Sequence, residues 1–341
     1  MDARTSRPFL GLAGLLLTAV LAACSAAPAE TPAPVPVPAT PVPSTAISTL
    51  EPTAAPTEAP TPAPLFPIEL ADDEGTAVSV PSEPTKIVSL TPAATETLFA
   101  LGVGDRLVGK VEDFTPYPEG AAAVPDVARY GTVDVEKIVS LGAELVVAGG
   151  DNFNPPEAIR QLRDLGVPVL VVFAPNLEGA LADVELIGRA VGRPDEAAAI
   201  NAAISAAFEE VKAATAGQTP VRTFYELDAS NGFFGPAPDY FGTEMIRIAG
   251  GDPLTSSIDG VYQIEAEKIL SFDPEVILLG DAAYGVTPEQ VAARPGWDTL
   301  TAVKDGAVRP IDDVVVTRPG PRLAEGIRAL ALAINPDLDL P

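Results

Sequence analysis

The chain has no histidine and a single cysteine, Cys24, among its 341 residues. Without histidine there is no Ser-His-Asp relay, no imidazole-bound zinc and no proximal-histidine haem. One cysteine forms no intrachain disulfide, and it builds neither a thiolate zinc cluster nor an iron–sulfur centre. Positive charge is also scarce: 21 Lys and Arg stand against 47 Asp and Glu, a formal net charge of −26. A phosphate partner needs a basic face, so this balance argues against nucleic acid. Very few enzyme mechanisms survive these absences. The chain is therefore expected not to be an enzyme, and no catalytic residue, resident metal or cofactor is assigned to it.

The N-terminus reads as an export address. Arg4 and Arg7 precede the apolar run Phe9–Leu21, which ends in Ala22-Ala23-Cys24. A charged start, a short apolar run and small residues before a cut describe a signal peptide over residues 1–23. The run falls short of the roughly 20 residues a membrane-spanning helix needs. Leu21-Ala22-Ala23-Cys24 resembles the bacterial lipobox, which implies acylation of Cys24 and attachment to the membrane through a lipid anchor on its extracytoplasmic face. The alternative is an ordinary signal peptide with a chance cysteine. Outside the cell, the acidity of the remainder reads as solubility.

Residues 25–64 hold 12 prolines in 40 positions, mixed with Ala, Thr, Val and Glu. Such a segment buries too little apolar surface to offset its ordering entropy. Residues 24–67 are therefore expected to form an extended tether reaching on the order of 100 Å, at about 3.1 Å per residue.

Beyond the tether, continuous apolar strands alternate with helical segments, the pattern of a parallel sheet covered on both faces. Lys86–Leu90 predicts a strand, followed by Thr91 as N-cap, Pro92 at the first helical position and Gly102 as the stop. Glu144–Ala148 and Val167–Phe173 continue a first α/β lobe over 85–175. Residues 176–218 carry a long helix, Asp195–Thr215, free of Gly and Pro and predicted to be about 30 Å long. A second α/β lobe, 219–341, follows, with strands at Val221–Leu227, Val276–Leu279, Ala307–Ile311 and Val314–Val316. A last helix runs from about Pro321 to Ile334, with Leu323, Ile327, Leu330 and Ile334 as its apolar stripe.

The lobes echo one another. Glu136–Gly149 aligns without gaps on Glu267–Gly280, with six of 14 positions identical. Two related lobes place a ligand cleft beyond the carboxyl ends of their strands. Phe114, Tyr117, Tyr130, Phe233, Phe234 and Tyr262 fall in loops after strands and offer rings on which a flat ligand stacks; core packing is the competing account of each. Arg318 and Arg322 follow the Val314–Val316 strand in a Pro/Gly-rich turn. A fixed guanidinium there suits bidentate capture of carboxylate, phosphate or catecholate, Arg318 being the better placed, unless it pairs with Asp312 or Asp313.

The stretch from Ile87 to Gly102, Tyr117-Pro118, Val135–Ile138, Ala249–Asp252 and Arg318–Gly326 resemble, in order, the vitamin B12/ferric-siderophore class of periplasmic binding proteins of ABC importers. The resemblance covers most of 85–335. It implies an α/β fold of two Rossmann-like lobes with parallel sheets joined by a long backbone helix, closing little on its ligand. It also implies that Glu136 and Glu267, which match glutamates at the lobe tips, pair with arginines of the ABC permease subunits. Glu265 is the nearest competitor in the second lobe, and a helix-dipole role for each carboxylate is the plainer alternative. Cobalamin-binding members carry aromatics near the positions of Phe114 and Tyr130; a Trp in them is replaced here by the neighbourhood of Val261-Tyr262. The expected ligand-binding set is Phe114, Tyr117, Tyr130, Phe233, Tyr262, Arg318 and Arg322. The expected cargo is a small-molecule metal chelate held by a monomer: cobalamin or another corrinoid first, then a ferric siderophore, then haem held by tyrosine. An enzyme on the same architecture, or a ligand-free adhesin, would be the other classes.

Overall fold

The computed structural model describes residues 65–151 and 153–340. Cys24, the export signal and nearly all of the expected tether lie outside them. Two sheets organise the described residues. The first has six strands in the spatial order Thr132–Val133, Asp126–Arg129, Leu107–Val111, Ile87–Ser89, Leu145–Gly149, Val169–Val172. All pairings are parallel except the Thr132–Val133 edge. The second has four parallel strands in the order Gly251–Pro253, Val221–Glu226, Val276–Leu279, Val308–Pro310. Leu145–Gly149 and Val276–Leu279 are apolar runs without polar alternation, and every residue of both is buried, as helices on both faces of a parallel sheet require.

The first helix begins where its local chemistry dictates. Thr91 is extended, its hydroxyl accepts from the Ala94 amide at 3.2 Å, and Pro92 opens the helix Pro92–Ala100. A hairpin of Ile68–Ala71 and Ala77–Val80 precedes the first sheet and adds Leu70, Val78 and Val80 to its core. Phe66, at the end of the segment expected to be tether, packs partly buried against the same core.

The echo of the sequence is an echo of structure. The helices Val135–Ser140 and Ala266–Phe272 each lead into a central strand of their sheet. Equivalent positions, Gly142 and Asp273, both adopt the left-handed conformation just after the helix, at φ 70° and 48°. Aspartate is among the few residues that accept this conformation at modest cost, and Asp273 is held there by bonds from the Thr301 amide and hydroxyl, each 2.8 Å.

A helix of 22 residues, Pro194–Thr215, links the lobes. Ala197 belongs to the core of the first lobe, whereas Ile204, Ala207, Phe208 and Val211 belong to that of the second. Ile200 packs on both. One expected element is corrected: Val314–Val316 is not a strand but part of a short helix, Asp313–Thr317. Asp312 caps it by accepting from the Val314 amide at 3.0 Å, and the helix packs tightly on Gly326, where a Cβ would lie 2.1 Å from the Val315 carbonyl oxygen. Tertiary packing and a cap outweigh the few tenths of a kcal/mol by which valine disfavours helix. The last helix begins at Leu323, two residues later than expected.

Candidate functional site

In the first sheet the chain order reverses between Ile87–Ser89 and Leu145–Gly149, and a crevice opens beyond the carboxyl ends of those strands. Asn154, 1% exposed, clasps both ends: its Oδ1 accepts from the Gly149 amide at 2.7 Å and its Nδ2 donates to the Leu90 carbonyl at 3.2 Å. Gly149 is needed there, because a Cβ would lie 2.7 Å from the Thr91 methyl. The second lobe faces this crevice and closes a cavity of about 840 Å³.

Its walls are largely apolar. The first lobe contributes the start of the Pro92–Ala100 helix, Tyr130, Phe153 and Phe173; the second contributes Tyr240, Phe241 and Tyr262. Tyr240 and Tyr262 meet edge to face with ring centres 5.5 Å apart. Burial raises both phenols above the usual tyrosine range, reinforced for Tyr240 by Asp313 and for Tyr262 by Asp239. Both therefore stay protonated at neutral pH. Asp183 and Ile187, from the helix Leu177–Ala190, also line it.

Arg318 is the one basic residue among the described residues lining the cavity, and its guanidinium is occupied. Nη1 donates to Glu96 Oε1 at 2.8 Å and to Asp113 Oδ2 at 2.9 Å; Nη2 donates to Asp113 Oδ1 at 2.9 Å and to the Thr115 hydroxyl at 3.0 Å. All four acceptors belong to the first lobe. The expected partners Asp312 and Asp313 are not used: Asp312 caps a helix, and Asp313 accepts from the Tyr225 hydroxyl. Nor does Arg318 follow a strand, since the preceding element is the helix Asp313–Thr317.

The remaining expected residues divide. Tyr130 and Tyr262 line the cavity with Arg318. Arg322 does not. It pairs with Glu96 through Nε and Nη2, each at 2.8 Å, and stacks over the Tyr117 ring at 4.1 Å, so these two serve the lobe boundary. Phe233 is turned into the second lobe, 5.0 Å from Trp297 and 5.2 Å from the Arg294 guanidinium. Phe114, 88% exposed, lies outside the cavity wall. Phe153, Phe173 and Tyr240 are cavity residues that sequence reasoning misses. Phe173 falls inside an expected strand that in fact ends at Val172, and its position just beyond a strand's carboxyl end is the signal that could find it. Glu136 and Glu267 are exposed, in the first turns of the two echoed helices and away from the cavity.

Residues 87–315 match the family described as periplasmic binding protein, and the chain belongs to that family. It is an ABC-importer substrate-binding protein of the vitamin B12/ferric-siderophore class, a family of binding proteins and not an enzyme class. The chain is 33% identical over 278 residues to an uncharacterized ABC transporter substrate-binding lipoprotein, YvrC, of Bacillus subtilis, spanning 80% of this chain and 87% of that one. It is 28% identical over 282 residues to a cobalamin-binding protein of Halobacterium salinarum, spanning 79% and 74%. A periplasmic haem-binding protein of Roseiflexus shares the fold at a TM-score of 0.65 and 24% identity, covering 73% of this chain and 97% of its own. Among the described residues, no helix is long and apolar enough to cross a membrane.

Proposed function

We propose that this protein captures a corrinoid, cobalamin or a close analogue, outside the cytoplasm and delivers it to an ABC permease. The observation that carries the reading is a large aromatic-lined cavity whose single basic group is already engaged by Glu96 and Asp113. A multiply anionic chelate entering it meets Asp239 and finds no free guanidinium. A corrinoid offers what such walls accept: a broad apolar macrocycle with neutral amide arms. The cobalamin-binding relative in Halobacterium supports the same choice.

Visible-absorbance titration with cyanocobalamin, haemin and a ferric catecholate separates the candidates. Cyanocobalamin is expected to co-elute with the protein in gel filtration, and selective retention of either other compound would overturn the reading. Lipidation of Cys24 and docking through Glu136 and Glu267 belong to the same proposal. Cys24→Ala should release the protein into the medium. Glu136→Ala with Glu267→Ala should leave corrinoid affinity within about twofold while uptake falls, since neither carboxylate lines the cavity.

A further inference from the structure

Arg318 joins the cavity wall with its charge already answered. Its two terminal nitrogens make four bonds, so four of the five N–H groups of the guanidinium are spent. The two carboxylates involved are not equivalent. Glu96 is gripped by Arg322, which donates to both of its oxygens at 2.8 Å, and it gives Arg318 a single bond through Oε1. Asp113 takes the Nη1–Nη2 edge of Arg318, one oxygen to each nitrogen, at 2.9 Å. Such a parallel pair is the geometry in which an arginine captures a carboxylate ligand. Asp113 therefore stands where a ligand's carboxylate would stand.

Its own loop fixes Asp113. It lies two residues beyond the strand Leu107–Val111, and its Oδ1 accepts from the Thr115 amide at 3.0 Å and from the Thr115 hydroxyl at 3.3 Å. The first lobe thus presents a preset carboxylate to a guanidinium of the second. Arg318 and Arg322 against Glu96 and Asp113 leave this cluster with no net charge. The side chains of Arg318 and Asp113 are 16% and 9% exposed, so water screens them little and the cancellation has to be local. Removing Asp113 leaves one positive charge in excess, on the basic residue that lines the cavity. A largely buried charge without its partner is costly, and an anion that pairs with it recovers that cost.

We propose that Asp113 determines which chelates the cavity accepts: by filling the fork of Arg318 from within the protein it selects neutral ligands, and without it the same wall binds a carboxylate or catecholate. Asp113 is a positioning and charge-cancelling residue that acts through Arg318. The assignment rests on the corrinoid reading for the identity of the neutral ligand, but not for the latent anion site.

The probes are cyanocobalamin, its separated monocarboxylate isomers (each with one side-chain amide hydrolysed) and a ferric tris-catecholate, titrated against the purified full chain. The quantity read is each anionic probe's affinity divided by that of cyanocobalamin, because loss of a purely structural bond lowers all probes alike and leaves the ratio unmoved. Asp113→Asn keeps the shape and one acceptor but not the charge. It should raise the ratio about tenfold for the catecholate and for at least one carboxylate isomer, as one charge-assisted hydrogen bond provides. Asp113→Ala gives the same reading if circular dichroism shows the Asn variant to fold poorly. Adding Arg318→Met to either variant should abolish the gain. An unchanged ratio for every anionic probe, or a gain that survives the loss of Arg318, overturns the assignment alone. A wild type that binds no cyanocobalamin overturns the corrinoid reading alone; the assignment is then read from the catecholate's own affinity, which Asp113→Asn should raise about tenfold. If neither wild type nor variant binds any probe, both fall.

Discussion

At Glu96 a carboxylate with 2% of its side chain exposed accepts from both Arg318 and Arg322, which reach it from the opposite lobe. Arg318 adds a bidentate bond to Asp113, 9% exposed at its side chain, so three elements converge on one charged knot. Taking these ions out of water is expensive, and mutual bonding offsets the cost only while every member stays paired. Glu96→Ala would leave Arg322 without its carboxylate and Arg318 with only Asp113 and Thr115. Loss of one member of a buried pair costs about 3–5 kcal/mol, so urea unfolding of Glu96→Ala should show a fall of that order. Arg318→Lys should recover only part of what Arg318→Ala loses, because an ammonium cannot span Glu96 and Asp113 as a planar fork does. Nothing in the local sequence announces this knot. Glu96 sits among Ala and Thr on a helix whose start is readable from Thr91-Pro92, and its partner Arg318 lies 222 positions away.

Elements are more legible than contacts, for a physical reason. Strands buried on both faces, such as Val276–Leu279, write their burial into uninterrupted apolar runs, and caps write helix starts into single residues. The helix Asp313–Thr317 reads as a strand because its three valines look like such a run; only its Asp312 cap and its seat on Gly326 distinguish it. For the same reason the rings are only half legible: position after a strand finds Tyr130 and Tyr262, but cannot tell them from Phe233, which turns inward onto Trp297.

In the turn after Val276–Leu279, Asp281 is 3% exposed and neither carboxylate oxygen has a partner among the described residues. Burial and then the Glu226 charge raise it to about 6, partly opposed by Arg294, which forms a bidentate pair with Glu226. Because the folded state holds this proton more tightly than the unfolded chain, where the ordinary value is 3.8, Asp281 destabilises the fold once it ionises. Its contribution to stability falls as pH rises from about 4 through 6 and then levels off. Asp281→Asn should therefore unfold at higher urea than wild type at pH 8, and the difference should shrink at pH 4.5. An equal difference at both pH values would show that the carboxyl does not titrate in this window.

At the scale of the whole molecule, the question is how far the lobes can move when a ligand enters. The Pro194–Thr215 helix, about 33 Å at 1.5 Å per residue, is no passive strap, since its two ends are built into different hydrophobic cores. A hinge within it would break backbone hydrogen bonds and pull Ala197 or the Ile204–Val211 face out of a packed interior, and cores deform reluctantly. The Glu96 knot ties the same two lobes at a second place, beside the cavity, where Arg318 joins its wall. Two attachments, one apolar and one ionic, resist a wide opening about either. Large hinge motions are absorbed at loop or element-terminal residues, and Pro194–Thr215 has neither glycine nor proline in its interior at which a helix would kink. Ligand capture should accordingly proceed by small adjustment of the cavity loops. Small-angle X-ray scattering of the folded domain with and without cyanocobalamin is expected to give radii of gyration within about 0.5 Å of each other, as for partners whose backbones move little on binding. The Glu96→Ala variant supplies the control: with the ionic attachment gone, its ligand-free form should be the more expanded of the two, and ligand should contract it. A wild-type contraction of about 2 Å or more, the scale of a domain rearrangement, would mean that the helix bends after all, and that the knot at Glu96 forms only in the closed state.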